Sequence, residues 1–131
     1  MKKDSIELHT DDQEHDEADC RALGAILDRI ADKWTIMVVG ALSKGPVRFN
    51  GIMRMLPGVS HRMLTLTLRG LEGDGLVKRT AYATIPPRVD YELTSLGHSL
   101  IKPLGVLTAW ARENRPKIES ARARQRPSKR K

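Results

Sequence analysis

The chain has 131 residues, a formal net charge of +7 and a single cysteine, a size that suits one domain with tails and is small for a multi-domain enzyme. No apolar run is long enough to span a bilayer, and the lone Cys20 excludes an internal disulfide and fits a reducing cytoplasm. Residues 1–19 hold eight acids against two lysines, residues 20–111 twelve bases against six acids, and residues 112–131 nine bases against two acids, so the folding part is basic and suited to a phosphate backbone.

Residues 1–19 are polar and acidic, without apolar periodicity or a secretory signal, and are expected to be a flexible segment. Cys20, Leu23, Ile26, Leu27 and Ile30 then follow helical spacing and predict that the core begins there. After Asp32 and Lys33, the nearly all-apolar residues 34–42 predict a buried helix ended by Gly45 and Pro46. Gly40 in its middle either weakens that helix or permits close packing. Residues 47–49 have room for a short strand.

Asn50 opens an amphipathic segment that stops at Pro57-Gly58, and Ser60 opens a second that stops at Asp74-Gly75. Two helices joined this tightly form a helix-turn-helix. In the second, Leu64, Leu68 and Leu71 recur at i, i+4 and i+7 and face inward, leaving His61, Arg62, Thr65, Leu66 and Arg69 as candidate DNA contacts. Ser60 is the expected cap and a further contact. Arg62, in the first turn, is a cation where the helix dipole disfavours one, which points to an external anion.

Residues 76–83 and 88–93 alternate apolar and polar side chains around an Ile85-Pro86-Pro87 tip. A ribbon beside a helix-turn-helix is a wing. Arg48, Lys78 and Arg79 are candidate phosphate contacts, because most such contacts position rather than specify. Arg88, beside the tip, either reaches a phosphate or minor groove or is a solubilising turn residue. Thr94 caps a last helix with Leu96, Leu100, Leu104, Leu107 and Ala111 on one face, and Pro103 is expected to kink it. That stripe is longer than a small core needs, so Leu100, Leu104, Leu107 and Trp110, with Leu23 and Leu27, are the expected dimer interface. The expected plan is an acidic flexible segment at 1–19, a folded domain at 20–114 and a basic disordered tail at 115–131.

Catalytic and metal chemistry find no support. His61 and His98 lie in different predicted helices without a nucleophile, and no phosphate-binding glycine loop occurs. His9, His15 and Cys20 lack zinc-finger spacing. No cofactor and no enzymatic activity are expected.

The blocks Asp32-Lys33-Trp34-Thr35, Gly45-Pro46-Val47-Arg48-Phe49-Asn50 and Leu56-Pro57-Gly58-Val59-Ser60-His61-Arg62-Met63-Leu64-Thr65 occur in order. Leu71-Glu72-Gly73-Asp74-Gly75-Leu76-Val77, Ile85-Pro86-Pro87-Arg88-Val89-Asp90-Tyr91-Glu92-Leu93-Thr94 and Leu96-Gly97 complete the set. Over residues 20–111 the chain resembles the HxlR-type winged helix-turn-helix transcriptional regulators, relatives of the MarR group. The resemblance implies an α+β winged helix-turn-helix fold with N- and C-terminal dimerisation helices, binding double-stranded DNA at inverted repeats near promoters. It also makes Cys20 a candidate sensor of oxidants or electrophiles, and a small-molecule effector a candidate partner. Gly51 and Gly70 stand where charged residues are usual in the family, and Arg21 follows Cys20 where many members have proline. The alternative reading is a nonspecific nucleic-acid or protein-interaction module acting through the basic tail.

Overall fold

The computed structural model describes residues 13–125. Nine elements follow in chain order: α1 (Gln13–Ile30), α2 (Lys33–Ala41), β1 (Val47–Arg48), α3 (Phe49–Met55), α4 (His61–Gly73), β2 (Val77–Tyr82), β3 (Arg88–Leu93), α5 (Ser95–His98) and α6 (Ile101–Gln125). The three strands form an antiparallel sheet in the order β1-β3-β2. None of the described helices is long and apolar enough to cross a membrane.

Local chemistry sets the boundaries. Asp32 accepts hydrogen bonds from the backbone N–H groups of Trp34 and Thr35 at 3.0 and 3.2 Å, which starts α2. Ser60 accepts from Met63 N–H at 3.0 Å and starts α4. Gly58 and Gly75, at φ +86° and +77°, make the turns that end α3 and α4. The hairpin pairs Val77 with Leu93 and Tyr82 with Arg88. The core joins Val38, Val39 and Leu42 of α2, Ile52 of α3, and Leu64, Leu68 and Leu71 of α4 to Val77, Leu93 and Leu104.

Three expectations are corrected. Helix α1 begins at Gln13, so residues 13–19 are helical rather than flexible. Residues 1–12 lie outside the described residues, as does His9. Likewise α6 runs to Gln125, so residues 115–125 of the expected disordered tail are helix. An Arg115–Glu119 pair at 2.7 Å, one turn apart, and arginines in the last turn favour that continuation. Residues 126–131 are outside the described part. Finally, Pro103 does not kink one last helix. The segment breaks into α5 and α6, and Pro103 falls in the first turn of α6, where its missing N–H has no intrahelical partner to lose.

The expected start of the core at Cys20 also moves. Of the α1 series, Ile30 packs against the core, whereas Cys20, Leu23, Ile26 and Leu27 are exposed. Gly40 is exposed and a Cβ there would meet no neighbour, so close packing is not its role.

One glycine is required by space. Thr94 Oγ1 donates to the Gly75 carbonyl at 2.7 Å and accepts from Gly97 N–H at 3.0 Å, which draws α5 onto the end of α4. A Cβ at Gly97 would collide with the Leu76 carbonyl oxygen, which cannot swing aside as a side chain does. Gly97→Ala is expected to destabilise the domain by about 1–3 kcal/mol through overpacking. The signature is a lower urea midpoint at unchanged m-value, and an unchanged midpoint would contradict the fit described.

Candidate nucleic-acid interface

The 3.6-residue period of α4 buries Leu64, Thr67, Leu68 and Leu71 against the core. Arg62 and Arg69 consequently stand on the opposite, exposed side. No acid occupies the first turn of α4, so nothing on the helix itself offsets Arg62 beside the positive dipole end.

The two shoulders of α4 differ. His61, Thr65, Arg69 and Glu72 line a groove of about 520 Å³ toward the sheet, closed on its far side by Arg79, Val89 and Tyr91. Leu66 lies on the other shoulder, in a depression shared with Asp28 of α1 and Thr35 of α2. There Arg29 of α1 reaches Asp74 at 2.7 Å, and its guanidinium covers Gly70 so closely that any Cβ would displace it. The glycine that departs from the family pattern thus makes room for a contact between α1 and the end of α4.

His61 is exposed yet not loose. Its ring meets Phe49 at a tilt of 48° with centroids 4.7 Å apart, and Phe49 meets Tyr91 of β3 at 6.4 Å. This aromatic series ties the starts of α3 and α4 to the wing, so Phe49 is a packing residue.

On the wing, strand alternation separates two residues that the sequence groups together. Arg79 shares a face with buried Val77 and lines the α4 groove, whereas Lys78 is on the opposite face, in register with Glu92. Arg88 donates to both oxygens of Asp90 at 3.2 Å and stacks over Tyr82 at 4.5 Å. The carboxylate raises the already high pKa of its guanidinium, chiefly by hydrogen bonding. It is therefore a tethered cation. Arg48, exposed at the start of α3, lines a second cleft toward the wing tip, together with Arg54. Sequence reading passed over Arg54 because it lies at the end of a short helix, outside any apolar period.

The expected dimer residues divide. Leu104 is 7% exposed and belongs to the subunit's own core, which corrects its assignment to a partner-facing surface, whereas Leu100 is partly buried against that core and partly exposed. Leu107 and Trp110, at 49% and 55%, remain exposed on α6, as do Leu23 and Leu27 on α1. Ile26 and Val106 are exposed beside them. Cys20 is exposed within α1, well past its first turn. Among the described residues no group of three or more histidines, cysteines and acids could hold a metal.

Residues 29–119 match the family described as HxlR-like helix-turn-helix. The chain is 35% identical over 97 residues to YtfH of Escherichia coli (strain K12), an uncharacterised HTH-type transcriptional regulator, covering 74% of this chain and 77% of that protein. The transcriptional regulator ytfH from Salmonella typhimurium superposes with a TM-score of 0.70 at 33% identity, over 76% of this chain and 88% of that one. The redox regulator HypR in its reduced form gives 0.69 at 38% identity, over 76% and 98%. Sequence, wing topology and the capped second helix of the helix-turn-helix agree: the chain belongs to the HxlR-like helix-turn-helix family of transcriptional regulators.

Proposed function

We propose that the protein is a cytoplasmic, sequence-specific regulator that binds inverted-repeat promoter sites as a homodimer. The observation that carries this reading is α4 itself. It is a Ser60-capped helix whose buried side is three leucines and Thr67 and whose other side carries Arg62 and Arg69, which pair with no carboxylate among the described residues, flanked by a basic wing. In that role α4 enters the major groove and the phosphate strand runs along the groove between α4 and Arg79. Arg62 and Arg69 read bases, with Ser60, His61 and Thr65 supporting, while Arg48, Arg79 and the tethered Arg88 hold backbone phosphates. Exposed Leu23, Leu27, Leu107 and Trp110 supply the partner-facing surface. Selection of bound duplexes from a random pool by the full chain tests the reading. Enrichment of an inverted repeat with half-sites about one helical turn apart, or a multiple of it, supports it. Recovery of unselected sequence would instead support nonspecific binding through the basic C-terminal residues.

We further infer that Cys20 reports oxidants or electrophiles. Two observations support this: the thiol is exposed, and a structural relative is a redox regulator. With no second cysteine in the chain, the switch acts through an adduct, a sulfenic acid or a bridge between subunits. Treatment with a quinone or hydrogen peroxide is expected to change DNA affinity in wild type and leave Cys20→Ser unaffected. Equal responses in both proteins would remove Cys20 from regulation.

A further inference from the structure

Between the start of α3 and the wing tip lies a cleft of about 900 Å³, separate from the groove along α4 but sharing its Phe49 and Val89 walls. Arg48, Arg54 and Arg88 all line it, along with Asn50, Pro86 and Pro87, and no carboxylate is among the lining residues. Arg88 has its partner behind the wall in Asp90. Arg48 and Arg54 pair with no carboxylate among the described residues. Two uncompensated guanidinium groups and a third held by Asp90 share one concave surface, whose positive field favours an anion. Such an arrangement is poised for an anion that bridges them.

The backbone contributes to this arrangement. At Gly51 a Cβ would stand 2.8 Å from Val47 Cγ1 and 4.0 Å from Arg54 Nη2. The bare helix surface makes room for the Val47 side chain, and the Arg54 guanidinium lies at ordinary contact distance beside the same surface. A charged side chain, usual in the family at this position, would occupy that space. The departure at Gly51 and the inward lie of Arg54 are therefore two parts of one arrangement.

We propose that this cleft is a second backbone-phosphate seat, in which Arg54 joins Arg48 and Arg88 on a phosphodiester of the bound duplex and so ties α3 to the wing. The occupant is DNA rather than a free anion because the cleft continues the α4 groove along shared walls. This rests on α4 being the DNA-reading helix, but its test is separable from that reading. A phosphate contact carries no sequence information and releases counterions, so its loss lowers affinity for every duplex and shallows the salt dependence.

The experiment measures binding of the full chain to a generic duplex of about 20 base pairs across a salt series, for wild type, Arg54→Ala and Arg54→Lys. Arg54 is exposed, and thermal melting of each variant checks that the fold is kept. Arg54→Ala is expected to reduce the slope of log K against log salt by about 0.9 and to weaken binding about tenfold near 0.1 M salt. Arg54→Lys, which keeps the charge, is expected to retain most of the wild-type slope. A wild-type slope in Arg54→Ala overturns the proposal, as does a slope equally reduced in both variants. If wild type itself fails to bind any duplex, the DNA-reading assignment of α4 falls first.

Discussion

Replacing Leu107 and Trp110 together with glutamate is expected to yield monomers. Both side chains project from α6 about half exposed, beyond the point where Leu104 completes the subunit's own core. Neither contributes to that core, so the double variant keeps its fold while placing two charges in the proposed partner contact, where burying an unpaired charge costs several kcal/mol. Sedimentation at micromolar concentration reads the change directly. The functional consequence is larger than one interface. Two linked half-site contacts gain a factor of about 10²–10⁴ over a single one, and the monomer forfeits that gain. A wild-type chain that sediments as a monomer under the same conditions would refute the assembly.

Arg62→Ala and Arg69→Ala, taken singly, are each expected to weaken binding to a selected site by about 1–3 kcal/mol if the lost contact is a bidentate guanine pair. In that case preference relaxes at one base pair per half-site and the generic-duplex affinity changes less. Were the arginine on a phosphate instead, affinity for all duplexes would fall together. Unchanged affinity in both variants would remove α4 as the reading helix. Arg62 is the sharper test. It sits in the first turn of α4, where a cation is unfavourable without an anion, so its removal should leave stability unchanged or slightly improved. Loss of binding without loss of stability separates a contact from a structural role.

Arg54 and Gly51 show where sequence reading ends. Nothing in the period of α3 distinguishes Arg54 from any exposed arginine, and Gly51 reads only as a departure from the charged residue usual in the family. Their meaning depends on the Val47 side chain lying against the bare Gly51 surface and on the wing tip facing Arg54 across the cleft. Gly70 is similar: its missing side chain matters because Arg29, far away in the chain, crosses it to reach Asp74.

The elements legible in the sequence were those set by neighbours in the chain. Ser60 and Asp32 cap the helices that follow them, Gly58 and Gly75 turn the chain, and the Leu64-Leu68-Leu71 period selects the buried side of α4. Strand alternation likewise placed the wing, whose strands run from Val77 and to Leu93. These signals act over one or two turns of chain, and any long-range packing must accept them. What only the tertiary structure decided is how exposed surfaces are shared out. Leu104 and Leu107 read identically along α6, yet one is in the core and the other is exposed, because the core that α6 packs against reaches only as far as Leu104. Lys78 and Arg79 are adjacent bases, yet Arg79 alone lines the groove, because the hairpin's pleat turns them to opposite faces against α4. Periodicity states which side chains point the same way; the position of the packed neighbour states whether that direction meets core, solvent or a partner.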